Sequence, residues 1–256
     1  PQLCEAVQSA HMVVGEWKPK TEDGSYELEI RFGLLQQQYF KSGVSRYFIE
    51  QTLGMFDTCS HWCKVTDWEE THEYYYGSAD KPQRSGKCDN SAYNSTTLPP
   101  IRTIVHFKTD TRTGKKSIET EHMRKFNKHK LDFRLQTLNS DPPNRFPTTQ
   151  NTFTEGHYDI RIALNYEQVV KKEDIPSIIN PESVRIKSRK SYYYKSDEFP
   201  SSEPIWKYDI TRSWAGRSKT EAEMNQRNGN TTFEIELECL NPYALMVSPK
   251  HDTHYA

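Results

Sequence analysis

The chain is poor in the material of which ordinary globular cores are built. Hydrophobic residues fill only 34% of its 256 positions, so a broad apolar interior would be hard to pack. A modest core with many half-buried side chains, as in β-rich proteins, suits it better. No apolar run approaches the roughly 20 residues of a membrane-spanning helix, and a membrane is not an expected partner. Net charge is nearly absent: 27% of residues are charged, yet the formal balance is −1. No overall field draws in nucleic acid, so any anion must be met by local segregation of Lys and Arg. Cysteine is sparse and odd in number (Cys4, Cys59, Cys63, Cys88, Cys239), which excludes a disulfide framework and reads as a reducing compartment. Cys59-Ser-His61-Trp-Cys63 has the form of half a zinc site, but no second Cys/His pair follows at a suitable spacing. The acceptor patterns at Asn94 and Asn230 mean nothing in a reducing compartment. Internal repeats and low-complexity tracts are missing too, and 1–256 reads as a single domain.

What the chain does have is aromatic residues, at 12% with tyrosine triplets at 74–76 and 192–194, and two unusual acidic segments. Tyr26-Glu27-Leu28-Glu29-Ile30-Arg31-Phe32 and Phe233-Glu234-Ile235-Glu236-Leu237-Glu238-Cys239 both alternate glutamate with apolar residues. In a strand, successive side chains point to opposite faces. Each segment therefore carries a row of carboxylates on one side and a face to be buried on the other. Water is the ordinary neighbour of such a row. Yet surface strands tend to mix signs, and glutamate is a poor strand former. Two such rows suggest a shared target, and the natural one is a hard divalent cation, which takes several oxygen ligands. Without it, clustered carboxylates raise each other's pKa.

The remaining pattern predicts helices over 2–14 and from a Ser45 cap to about Phe56. It predicts strands over 25–32, 66–76, 101–109, 116–126, 128–138, 157–166, 183–194, 205–211 and 231–239, with a hairpin turn at Thr113-Gly114-Lys115. Loops fill 78–100, 139–156 and 195–204, and a polar stretch, 213–230, precedes the last strand. Nine or so strands with few helices imply a β-rich (α+β) protein: a closed antiparallel β-barrel with a few outer helices. Several strands alternate charge against hydrophobe, as in Arg185-Ile-Lys187-Ser-Arg189, Asp159-Ile-Arg161-Ile and Lys128-His-Lys130-Leu-Asp132. In ordinary soluble barrels the apolar face fills the interior. Here it is expected to look outward, under helices and loops, leaving a hydrophilic, charged bore.

Taken singly, the basic rows (Arg185, Lys187 and Arg189; Lys207 beside Asp209; Arg102 in Ile101-Arg-Thr-Ile-Val) are solvated faces. Held in one bore with the carboxylates, they make one half for metal and one half for anion. That is the equipment of phosphoryl chemistry, and a linear polyphosphate fits a narrow bore.

The ordered set of segments resembles the yeast- and protozoan-type metal-dependent RNA 5′-triphosphatases of mRNA capping, which belong to the triphosphate tunnel metalloenzymes. The residues that carry the resemblance are Glu27-Leu-Glu29-Ile-Arg-Phe-Gly33, Ser42-Gly43-Val44-Ser45, Arg185-Ile-Lys187-Ser-Arg189-Lys-Ser191-Tyr192, Lys207-Tyr208-Asp209-Ile210-Thr211 and Glu234-Ile-Glu236-Leu-Glu238. Together they span nearly the whole chain. The resemblance implies that Glu27, Glu29 and the 234/236/238 row, with Glu236 and Glu238 foremost, hold Mn²⁺ or Mg²⁺, directly or through water. It further implies that Arg185, Lys187, Arg189 and Arg102 hold the triphosphate, that Glu167 orients the attacking water, and that Lys128 or Lys130 is a mid-barrel lysine. Where the family more often has Arg this chain has Lys207, which keeps the charge near Asp209 but loses the planar fork.

The implied activity is hydrolysis of the γ-phosphate of 5′-triphosphate RNA, with nucleoside triphosphates as further substrates and nuclear residence following from that role. The chain has no Lys-x-Asp-Gly nucleophile motif, so a capping guanylyltransferase is expected as a partner or as a further domain. Two alternatives stand beside this. Tunnel enzymes of the adenylyl cyclase/thiamine triphosphatase type begin Glu-x-Glu-x-Lys, which Glu27-Leu-Glu29-Ile-Arg31 nearly matches, and they include tripolyphosphatases. A non-catalytic RNA-binding barrel could stack bases on Tyr74, Tyr75 and Tyr76.

Overall fold

Alternation along the strands decides the architecture. The structure, a computed structural model, describes residues 23–36, 39–77, 98–109, 114, 116–134, 158–175, 180–195 and 203–240. Ten strands form one sheet: β1 (Gly24–Gln36), β2 (Tyr39–Ser42), β3 (Trp62–Val65), β4 (Glu69–Tyr76), β5 (Ile101–Thr109), β6 (Lys116–Phe133), β7 (Asp159–Val169), β8 (Ser183–Tyr194), β9 (Trp206–Gly216) and β10 (Thr232–Cys239). Eight of them run β10-β9-β8-β4-β5-β6-β7-β1, all antiparallel, and the β1–β10 pairing closes the ring. β2 and β3 are appended to β1 and β8. Closure removes the exposed edges that so many strands would otherwise present.

The apolar faces do point outward, and two helices cover them. Helix α1 (Arg46–Thr58) starts at Ser45, whose Oγ accepts from the Phe48 N–H at 3.1 Å. Its Ile49 packs with Val44, Tyr192, Ile210 and Ile235, with Phe48, Leu53 and Phe56 around them. Asp57 ties the helix to β8, accepting from Lys190 Nζ and the Tyr192 hydroxyl, both at 2.6 Å. Helix α2 (Lys219–Arg227) buries Ala222 on Val184 and Ile186. A third cluster, Leu28, Leu164 and Cys239, lies outside the β7-β1-β10 sector.

Residues 42–45 stitch this side together. Gly43, at φ 130°, takes a conformation that L side chains rarely adopt. Its N–H donates to Phe32 O at 3.1 Å, and the next N–H, on Val44, donates to Phe233 O at 2.9 Å. Gly33 serves a different need. A Cβ there would lie 2.2 Å from Lys41 O and 2.8 Å from the Phe40 ring. Gly33→Ala is therefore expected to destabilise the barrel by about 1–3 kcal/mol. An unshifted urea midpoint for that variant would contradict the packing described.

Strands β5 and β8 occupy the predicted spans. The predicted strands 116–126 and 128–138 are one strand, β6, and the predicted 66–76 begins only at Glu69, with Trp62–Val65 separate as β3. β2 was not expected, being four residues of an edge hairpin without alternation. The polar stretch 213–230 extends β9 and then forms α2, capped by Ser218. That helix exposes nearly every side and buries only Ala222, so its hydrophobic period is too weak to read. Gly114, at φ 67°, has the conformation a hairpin turn needs, while Thr113 and Lys115 lie outside the described residues. The helix predicted over 2–14, the loop over 139–156 and most of that over 78–100 also lie outside them. Among the described residues no helix is long and apolar enough to cross a membrane.

Candidate active site

The register brings the two acidic rows side by side. Glu29 stands opposite Glu238, and Arg31 opposite Glu236. Next to β10 around the wall, β9 supplies Lys207 and Asp209, in register with Glu238 and Glu236, and β8 beyond it supplies Arg185, Lys187 and Arg189. Their inward faces enclose two adjoining cavities of about 330 and 240 Å³, which share Glu29, Arg31, Arg102, Lys125 and Lys187 in their walls. A buried charge is costly unless paired and hydrogen-bonded, and the lining follows that rule. Arg31 lies 2.9 Å from Glu29 and 3.0 Å from Glu236. Arg102 Nη2 donates to Glu167 at 2.7 Å, and Lys187 meets Glu73 at 2.9 Å. Arg189 lies 3.2 Å from Asp209 and 3.8 Å from Glu236. Lys207 pairs with Glu238 and, at 3.4 Å, with Asp209. Arg185 donates to Glu234 at 2.7 Å and to Ser213 Oγ at 3.1 Å.

Of the side chains expected at the site, Glu27, Glu29, Arg102, Glu167, Arg185, Lys187, Arg189, Lys207, Asp209, Glu236 and Glu238 line the cavities. Glu234 is buried at the edge against Arg185. Lys128 is not in the bore. It is exposed on the outer face, with its ammonium near the Phe126 and Tyr166 rings. Lys130 takes an inward register opposite Ala163 but is exposed and lines neither cavity. The mid-barrel lysine is Lys125, which pairs with Glu27, with Glu29 at 3.0 Å and with Glu167 at 3.7 Å. The reason is a bulge. β6 is in step with β7 through Asn127↔Asn165, then skips Lys128 and resumes at His129↔Leu164. One extra residue reverses which parity faces inward, so alternation read backward from Lys128, Lys130 and Asp132 points to the wrong side.

Other lining residues carried no separate signal. Glu73 sits in a run, Glu69-Glu70-Thr71-His72-Glu73, with carboxylates at both parities. Asn165 donates to Glu29 Oε1 at 2.9 Å from the Ala163-Leu-Asn165-Tyr stretch of β7, which carries no charge to mark its inward face. Arg31 could have been found, since it continues the Glu27–Glu29 row.

The electrostatics leave room for ligands of both signs. Burial, reinforced by the flanking Arg189 and Arg185, pushes Lys187 below an ordinary lysine although Glu73 pulls it up. Glu73 itself is lowered to about 2; burial works against its ionisation, but Lys187 and Arg102 prevail. Cations therefore crowd Lys187: Arg185 and Arg189 flank it on the same strand face and both disfavour its charge. Arg102 Nε and Thr211 Oγ1 are buried with no hydrogen-bond partner among the described residues. On the other side, burial and the charge of Glu27 raise both Glu167 and Glu238 above the usual carboxylate range. Burial also opposes ionisation of Glu236, but Arg31, Lys187 and Arg189 hold it well below that range.

Among the described residues no group of three or more His, Cys, Asp or Glu is drawn together as a ready metal cluster. Lys125, Arg31 and Lys207 stand between the carboxylates instead. The donor chemistry nevertheless fits a hard divalent cation. The candidate ligands are all carboxylate oxygens, and burial, with the charge of Glu27 added to it, raises the pKa of Glu238 and Glu167, a strain that a bound cation would relieve. The Cys59–Cys63 stretch is no metal site: Cys59 Sγ lies 3.5 Å from His61 Nδ1, while Cys63 Sγ points away to Tyr193 O at 3.2 Å.

No protein-family profile matches the sequence, and no curated protein matches it. Among solved structures, the chain is similar to the S. pombe Pct1 RNA triphosphatase, at 14% identity over 96% of this chain and 81% of that one, with a TM-score of 0.48. It is similar to the same enzyme in complex with the Spt5 CTD, at a TM-score of 0.49 with the same identity and coverage. It is also similar to the Mimivirus capping enzyme triphosphatase, at 10% identity over 93% and 89% of the two chains, with a TM-score of 0.48.

Proposed function

We propose that the bore hydrolyses the γ-phosphate of 5′-triphosphate RNA with the help of Mn²⁺ or Mg²⁺, the first step of cap formation. One observation carries this reading: a row of cations, Arg185-Lys187-Arg189, and the carboxylate rows of β1 and β10 line the interior of one closed barrel. A linear triphosphate needs cations along its length, and carboxylates at its end would hold the divalent ion that the chemistry calls for.

In this reading Arg185, Lys187 and Arg189 neutralise the phosphates, and Arg102 turns its unpartnered Nε–H to an oxygen. Lys125 is the lysine that exchanges carboxylate for phosphate. Glu27, Glu29, Glu236 and Glu238 would hold the divalent ion, which supplies Lewis-acid polarisation of the phosphoryl oxygens. Glu167 accepts the proton of the attacking water. The new bond joins the water oxygen to the γ-phosphorus, and the bond to the β-phosphate oxygen breaks. The products are inorganic phosphate and a diphosphate-ended RNA, the substrate of a guanylyltransferase.

The test is release of labelled phosphate from γ-labelled RNA, with Mn²⁺ or Mg²⁺ and with a chelator. Release that requires metal is the expected result. Metal-dependent release from tripolyphosphate or thiamine triphosphate but not from RNA would move the assignment to the small-molecule tunnel enzymes. RNA binding with no turnover of any triphosphate would leave a binding barrel.

The raised pKa of Glu167 sets the acid side of the pH profile. Its base form is present above that value and is lost as pH falls through it, so kcat/KM should decline at a pH above the ordinary carboxylate range. Glu167→Gln should abolish the limb along with most of the rate. An acid limb at or below the value of a free glutamate would argue against Glu167 as the base.

A further inference from the structure

The two ends of the bore differ. The larger cavity opens where β4 ends and β5 begins, past Tyr75, Pro99, Pro100, Asn127 and Arg161. Among the described residues, those lining that cavity alone include cations and no carboxylate, though Arg161 is held by Asp132 at 2.6 Å and Arg185 by Glu234 at 2.7 Å. The smaller cavity is walled by the acidic rows and continues past His106 and Glu121. Beyond it, Glu69 shares the register of Arg189, and Glu119 that of His106. All three glutamates, 69, 119 and 121, are exposed, with Lys108 paired to Glu119 at 2.5 Å and His106 3.7 Å from Glu121, so the carboxylates there still outnumber the lysine. A chain of phosphodiesters is repelled by that rim and tolerated by the other.

The first mouth also has flat, fixed surfaces. The Tyr75 hydroxyl donates to Glu73 at 2.7 Å, and Glu73 is in turn held by Lys187. Arg124 Nη1 donates to Pro99 O at 3.1 Å, which steadies the proline pair. Tyr75 stands directly opposite Arg102 in the β4–β5 register. Next to a phosphate-binding arginine, a clamped aromatic ring and two prolines form a stacking wall.

Resting on the hydrolase reading, we propose that the 5′ nucleoside of the RNA sits in the mouth formed by Tyr75, Pro99, Pro100, Asn127 and Arg161. The triphosphate points from there toward the glutamate rows, and the RNA chain leaves by this end. The opposite, acid-rimmed mouth admits the metal ion and not the RNA.

A 5′-triphosphate oligoribonucleotide with 4-thiouridine as its first residue tests this on the full chain by irradiation and peptide mass spectrometry. The expected crosslink is to Tyr75 or to the peptide containing Pro99–Arg102, and excess tripolyphosphate should compete it away. A crosslink to the His106 or Glu119–Glu121 peptides, or none at either mouth, overturns the assignment. In parallel, Arg161→Glu should raise KM for triphosphate RNA about tenfold more than for tripolyphosphate, whereas Glu121→Gln should not. Equal effects of Arg161→Glu on both substrates would remove the nucleoside subsite. The crosslink needs no turnover. No phosphate release with a crosslink at Tyr75 would therefore end the hydrolase reading alone, and release with a crosslink near Glu121 would end the mouth assignment alone.

Discussion

Glu236→Gln should lower metal-dependent phosphate release by roughly 10²–10³-fold, the loss that follows removal of one preorganised charged group from a closed site. Glu236 is the meeting point of the two halves. It is half-buried opposite Arg31, 3.0 Å from that residue and 3.8 Å from Arg189. The cations around it hold it ionised, so it keeps full charge as a ligand at any working pH. Truncating one member of a buried ion pair costs about 3–5 kcal/mol because a charge is left without its partner. The Gln variant keeps the shape and one acceptor, and its thermal midpoint should be followed beside its rate. Near-wild-type release from a folded Glu236→Gln protein would remove the carboxylate rows from the mechanism. Loss of the fold would leave Glu29→Gln, tested the same way, as the equivalent probe from the neighbouring strand.

Lys125→Ala should reduce turnover by about 10²-fold or more, while Lys128→Ala should change nothing measurable. Three residues apart on one strand, they lie on opposite sides of the barrel wall. Lys125 is the only cation among the described residues that touches Glu27, Glu29 and Glu167 together. Without it these carboxylates repel one another, and the crowding disfavours their ionised forms. The variant should therefore also lose stability toward neutral and higher pH, where the crowded carboxylates would be ionised. Lys128 makes only exposed contacts with aromatic faces, worth a few tenths to about 1 kcal/mol. Equal rates for wild type and Lys125→Ala, with loss in Lys128→Ala, would show that the bulge at Lys128 is misplaced.

These two lysines also show where reading the chain stops short. Strands β8 and β10 declare themselves because each alternates without interruption: Arg185, Lys187 and Arg189, or Glu234, Glu236 and Glu238, fall at one parity with Val, Ile, Leu and Phe at the other. In β6 both parities carry charge, as in Arg124-Lys125 and Lys128-His129-Lys130, and a bulge shifts the phase midway. A local pattern cannot locate an extra residue that only the partner strand defines. Glu73 is hidden for the same reason, since Glu69 and Glu70 offer carboxylates at both parities. Helix α2 is hidden by its polarity, because burying Ala222 alone leaves no stripe to detect.

By itself the sequence determined the periodicity of the main strands, the capped helix after Gly43, and the segregation of charge from hydrophobe that makes a wet-centred barrel the consistent solution. These are properties of residues two to four positions apart, where local sterics and pleat geometry dominate. Only the tertiary structure decided that Glu29 faces Glu238, that Arg31 lies between the acidic rows, that Lys125 rather than Lys128 is in the bore, and that one mouth is ringed by acids and the other by Tyr75 and the prolines. Those facts depend on register between strands up to two hundred residues apart in the chain. Register is set by the simultaneous closure of all eight strands, a condition that no single segment contains.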